Sequence, residues 1–222
     1  METLQSTAES FNCHLMVTAL PGTFVHANRP LIRITRETAG CIDARDRPEP
    51  DALSGSLVSA FTISSNRTFE DDPRFGLLAL SEIADKALSL GINDPGTAIN
   101  VIGTFVRLFT LWQTPPEPQN LQATTYDRVW VPELMTDDLF DDAFTAIARD
   151  GAGMVEVSIR LQKAFRALAE TGDTQMAEAA KKHSRRALSH SEVALTLSDD
   201  IDLVRAEARR LDRPPRPYFP NS

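Results

Sequence analysis

Asp72 and Asp94 are the side chains best placed to do chemistry, because each stands directly before a proline at the head of an apolar run with helical spacing. An aspartate there accepts from the free amides of a first helical turn, and Pro73 or Pro95 fills the position where no amide is needed. The same amides can receive an anion. The loop before the second run, SLGIND, holds Gly91, which can take the left-handed conformation that ends a helix. Arg67, Asp72, Asn93, Asp94, Gly96 and Thr97 therefore form the candidate ligand-binding set. Capping alone also accounts for the residue types in the loop, and Arg67 near Asp71 and Asp72 suits a structural clamp, since guanidinium forks onto carboxylates. Glu82, Asp85 and Asp94 are candidate general bases, a role that needs a metal or a perturbing partner beside the carboxylate. Glu82 and Lys86 have the spacing of a surface ion pair.

Other reactive side chains point to less. The sequence has no HExxH, GxSxG, P-loop or CxxC pattern, so no catalytic residue is assigned and no cofactor is expected. His14 and His26 fall on or beside strand-like stretches without companion ligands, and no metal site is expected. Lys181, Lys182, Arg185 and Arg186, with His183 among them, make a basic patch that reads as a solvated helix face.

The elements that must position these residues follow from periodicity. In the first run Leu77, Leu80, Ile83, Ala84, Ala87 and Leu88 recur at three- and four-residue spacing and make one apolar stripe. Apolar side chains from Ala98 to Trp112 cover most of the second run's circumference, so this helix is expected at the centre, with neighbours on nearly every side. Before them, CHLMVTA, TFVHA and PLIRIT read as strands around a Pro21-Gly22 turn, residues 37–50 as a loop, and residues 51–61 as a short helix. The hairpin spacing resembles the biotinyl and lipoyl carrier modules, yet no lysine for acylation occurs before Arg74. After TPPEPQN, a stiff connector, DRVWVP can add one strand with Trp130 as a packing anchor. Helices are predicted over residues 137–149, 154–170, 174–188 and 191–211. The last buries Val193, Leu197, Ile201, Val204, Ala208 and Leu211.

The fold class is thus α+β and mostly helical, with a small N-terminal β-hairpin subdomain followed by a helical bundle. The expected division is 1–50 for the β-subdomain and loop, 51–135 for the central helical pair, 136–212 for the C-terminal bundle, and 213–222 for a Pro-rich disordered tail. The 222 residues suffice for a substantial core. A formal charge of −8 and a pI near 5.0 argue against nucleic acid as a partner. Cys13 and Cys41 are too few for a disulfide scaffold, which favours the cytoplasm, although a single bridge between them is compatible with the count. The run 98–112 is too short and too often interrupted by polar residues to span a membrane.

The stretch RTFEDDPRFGLLALSEIADKALSLGINDPGTA resembles the most characteristic segment of a bacterial membrane-protein family known as domain of unknown function 2254. The residues that carry the likeness are Arg67, Thr68, Asp72, Pro73, Phe75, Gly76, then Ala87, Leu88, Ser89, Gly91 to Pro95, Thr97 and Ala98. Glu82 stands where an Asp is usual, Leu90 where a Pro is usual and Leu78 where a basic residue is expected. Looser similarity extends from about Leu15 to the C-terminal helices. The resemblance implies a bacterial inner-membrane protein whose N-terminal half, absent from this chain, spans the bilayer, with the present residues as its soluble part on the cytoplasmic side. Three function classes follow. The first is a non-enzymatic assembly or regulatory module that forms a homo-oligomer. The second is a small-ligand or ion sensor built on residues 91–97 and Arg67. The third is a hydrolase using the carboxylates of the central motif.

Overall fold

In the computed structural model residues 1–36, 50–70, 72–114 and 126–212 are described. The fold is α+β and mostly helical, and the chain divides into two compact units, one of Met1–Asp72 with Glu117–Glu133 and one of Pro73–Pro116 with Leu134–Ser222. The loop at 37–49, including Cys41, most of the proline connector, and the tail lie outside the described residues.

The first unit contains α1 (Glu2–Ser10), β1 (Cys13–Val17), β2 (Ile32–Arg36), α2 (Pro50–Val58) and β3 (Val129–Trp130). β1 is the middle strand, antiparallel to β2 with Leu15 opposite Ile34, and parallel to β3 with Leu15 opposite Val129. Alternation along β1 turns Cys13, Leu15 and Val17 onto a core shared with Leu4, Ala8, Leu53, Leu57 and Val129. Helix α1 has no counterpart among the predicted elements. It buries Leu4, Thr7 and Ala8 at helical spacing and carries Gln5, whose amide donates to Asp127 (2.6 Å) and accepts from the Arg128 amide (3.2 Å). That bridge helps hold the returning chain where β3 can pair.

The predicted strand at 23–27 does not form. With β2 and β3 on its two sides β1 has no free edge, and the chain from Leu20 to Arg29 turns on itself, leaving Phe24 exposed. Trp130 is not the expected anchor: Val129 takes the inward position and Trp130 is 55% exposed. Val58 at the end of α2 also faces solvent.

The second unit comprises α3 (Pro73–Leu88), α4 (Pro95–Trp112), α5 (Thr136–Asp150), α6 (Val155–Ala169), α7 (Thr174–Ala194) and α8 (Ser198–Ala208). Its core is aromatic. Phe144 of α5 meets Phe105 of α4 edge to face at 5.3 Å and Phe165 of α6 at 5.0 Å, while Phe140 lies 4.7 Å from Phe109 and 5.4 Å from His183 of α7. These offset and edge contacts suit the ring quadrupole. Against α7, α6 adds a small polar seam in which Gln162 and Ser184 exchange hydrogen bonds and Ser191 donates to Ser158.

Two helical expectations are corrected. The last helical pattern does not begin at residue 191: Ser191 is buried inside α7, which continues to Ala194, and α8 starts only at Ser198. Val193 and Leu197 are consequently exposed rather than inward. Nor is α4 enclosed on nearly every side. It packs on α3 and α6 and slightly on α5. Leu108, Leu111 and Trp112 stay 39%, 67% and 52% exposed, since three neighbours cover little more than half of a helix. Ile83 of α3, expected on the buried stripe, is exposed as well.

Replacing Phe144, fully buried among four aromatic neighbours or their helices, with alanine is expected to destabilise the second unit by about 3–5 kcal/mol. Urea unfolding followed by far-UV circular dichroism measures this, and a loss under about 1 kcal/mol would contradict the packing described.

Candidate functional site

The six candidate residues fall into two groups, one in each unit. In the first unit Arg67 and Asp72 come together: the guanidinium donates from Nε to Asp72 Oδ2 at 2.7 Å and from its terminal nitrogen to the same oxygen at 2.6 Å. Asp72 is buried (4% exposed) and Arg67 partly so. The Pro21-Gly22 turn passes over this pair. Gly22 has φ +76°, and a Cβ built there would overlap both the Asp72 carboxylate and the Arg67 guanidinium. Glycine is required at this point on two counts, backbone sign and space. The pair joins the sequence just before the central motif to the turn after β1, as a clamp does.

In the second unit the loop between α3 and α4 is closed by its own backbone. Ser89 O accepts from the amides of Ile92 and Asn93, and Ala87 O accepts from Asp94. The left-handed residue is Asn93 (φ +51°) and not Gly91, because the α3 end wraps further along the chain than the glycine suggests. Asparagine tolerates this conformation better than most residues. Asp94 then caps α4: its carboxylate accepts from the Thr97 amide at 3.1 Å and from the Thr97 hydroxyl at 2.6 Å. Those bonds, the hydroxyl first, hold Asp94 below the usual carboxylate range. Gly96 lies beneath the cap, where a Cβ would sit 3.2 Å from Asp94 Oδ1. A depressed, solvent-exposed carboxylate is a poor proton acceptor, so Asp94 is poorly suited to act as a general base.

Three arrangements were not read from the sequence. Arg74 forks onto Asp142 (2.6 and 3.1 Å) and reaches Asp138 at 3.4 Å, tying α3 to α5. Asp85 of α3 is held above the usual carboxylate range by a hydrogen bond with Asp150, then by burial. Asp150, at the end of α5, is held below it by Arg149, which donates to it twice at 2.6 Å. The contact between them thus shifts Asp85 and Asp150 in opposite directions. Asp85 is shifted upward where Asp94 is shifted downward. The third arrangement is His183, read as part of a basic patch but 3% exposed, with Nε2 lacking a hydrogen-bond partner and 3.8 Å from Asp141. Its spacing from Met176, Ala180 and Ala187 was the available signal, since all four share the buried face of α7. Lys182 and Arg186 of the patch pair across to Asp137 and Asp141 of α5.

Burial, first among the causes, pushes the His183 imidazole below its ordinary value, while the charges of Asp141 and Asp137 pull the other way. Lys182 and Arg186 add to the downward push. The folded chain thus resists a proton that the unfolded chain takes up near pH 6.5. Stability from neutral His183 is present above that value and is lost as pH falls through it.

A family model described as a predicted membrane protein, domain of unknown function 2254, matches residues 1–167. No curated protein and no solved structure matches the chain. Among the described residues no helix is long and apolar enough to cross a membrane.

Two substitutions test this geometry. Gly22→Ala should cost the first unit about 1–3 kcal/mol, through positive φ and displacement of the buried ion pair, as read by thermal unfolding. His183→Phe should flatten the decline in stability between about pH 7 and pH 5, where one differential proton contributes a slope of up to about 1.4 kcal/mol per pH unit. Parallel curves for the two proteins would mean that His183 is not the group that titrates.

Proposed function

The chain belongs to the family of predicted membrane proteins that matches it over residues 1–167, and on that premise we propose that it is a non-enzymatic assembly or regulatory module of a multi-pass bacterial membrane protein. The module forms a homo-oligomer and positions or gates the membrane part from the cytoplasmic side. One observation carries the reading. Helix α4 buries Phe105 and Phe109 completely or nearly so, yet leaves Leu108, Leu111 and Trp112 open to solvent in its last turn.

Scattered apolar side chains are ordinary on a surface. Two leucines and a tryptophan within one helical turn are a different case, because buried aromatic and aliphatic anchors supply most of the binding energy of protein interfaces. The polar residues of the motif support the same reading, since Arg67 holds Asp72 and Asp94 holds Thr97. Arg67 and Asp72 bond to each other, while the last turn of α4 presents exposed apolar side chains.

Native mass spectrometry of the purified chain from about 1 to 100 μM should give one defined oligomer. Leu111→Glu should shift its formation to at least tenfold higher concentration, the size of effect expected for a charge placed on an interface anchor. A strictly monomeric chain across that range would overturn the assembly reading, and a retained small molecule would favour a sensor.

A further inference from the structure

The solvent face of α4 has a pattern that reads the same way in reverse. Ahead of it the turn after α3 carries Leu90 and Ile92 and the cap Asp94; along α4 itself this side presents Gly96 and Asn100, then Arg107, then Leu111. Leu90 is fully exposed, Ile92 is 51% and Leu111 67% exposed, and Asp94, Gly96, Asn100 and Arg107 are all exposed. Apolar groups therefore close both ends, with an acid inside one end, a base inside the other, and a small or polar middle. The acid and the base are thirteen residues apart on one straight helix, about 20 Å, too far to meet each other. Arg107 donates to the Thr104 hydroxyl at 2.8 Å, and among the described residues no carboxylate lies within ion-pairing distance of it.

We propose that this face binds the same face of a second copy, the two α4 helices lying antiparallel across a twofold axis beside Asn100. The proposal rests on the assembly reading above and specifies its geometry. A helix turned end for end about this point sets Asp94, at the cap of each copy, against Arg107 of the other, and brings the turn that carries Leu90 and Ile92 toward the end that carries Leu108 and Leu111. Asn100 meets its own mate. A twofold interface uses one patch twice, so it requires this kind of self-complementarity. A parallel pairing would place like charges together, Asp94 on Asp94 and Arg107 on Arg107, which costs affinity. Antiparallel helix dipoles favour the same choice. Gly96 and Gly103 permit close approach of the two backbones; a Cβ at Gly103 would meet nothing within 4 Å, so packing inside the chain does not require glycine there.

The test is a crosslink and a thermodynamic cycle on the whole chain. In a Cys41→Ser background, Asn100→Cys should form a disulfide-linked dimer with copper-phenanthroline, because the twofold brings its Cα atoms to bonding range. Thr110→Cys should not, since its mates would lie about 28 Å apart along the axis. Asp94→Asn keeps a good helix cap while removing the charge. Asp94→Asn and Arg107→Gln should each weaken self-association about three- to tenfold, and the double variant no more than either alone. An oligomer that persists with no crosslink at Asn100→Cys and with additive effects at positions 94 and 107 would overturn this axis while leaving the assembly reading intact. A wild-type chain that stays monomeric would remove both.

Discussion

The ring cluster of Phe105, Phe109, Phe140, Phe144 and Phe165, with His183 at its edge, is the contact on which the second unit depends. It draws one face from each of α4, α5, α6 and α7, so four helices share one set of van der Waals contacts. Close packing of this kind leaves little freedom in where each helix can lie. The remaining features of that unit are consequences of the placement. α3 is fixed along α5 by the Arg74 fork, α7 is held to α5 by Lys182 and Arg186, and α8 reaches α6 through Arg166 and the buried Glu207.

The part that α4 plays in that cluster bears on its own surface as well. A helix with apolar residues around most of its circumference needs neighbours around most of it, and the chain provides α3, α6 and part of α5. What they leave uncovered includes Arg107, Leu108, Leu111 and Trp112. The burial of Phe105 and the exposure of Leu111 are two sides of one fact, namely that this helix has more apolar surface than its own chain covers.

The central motif does its work mainly inside the fold. Asp72 holds Arg67 beneath a glycine turn, and Asn93 and Asp94 convert one helix end into the next helix start within a few residues. A long stretch of specific residues can therefore reflect the geometric demands of two tight junctions as readily as the demands of a ligand. At the ends of α3 and α5, contact between Asp85 and Asp150 raises the first carboxyl and joins Arg149 in lowering the second.

Local sequence determined much of this protein. The Asp-Pro helix starts at Pro73 and Pro95, the cap at Asp94, the apolar face of α6 and the α+β class follow from spacing and turn chemistry, which act over a few residues. The clamp between Arg67 and Asp72 was legible for the same reason. Tertiary structure alone decided which faces found partners. Residues 23–27 have strand-like composition, yet β2 and β3 already occupy both edges of β1. Ser191 looks like a helix start, but α6 offers it Ser158 in the interior and α7 runs on. The basic-patch spacing hid a histidine that belongs to the core, and the run of apolar residues in α4 could not disclose how few helices would surround it. Periodicity shows that a face is apolar; only the positions of the other elements, set by packing at long sequence separation, determine whether the same chain covers it.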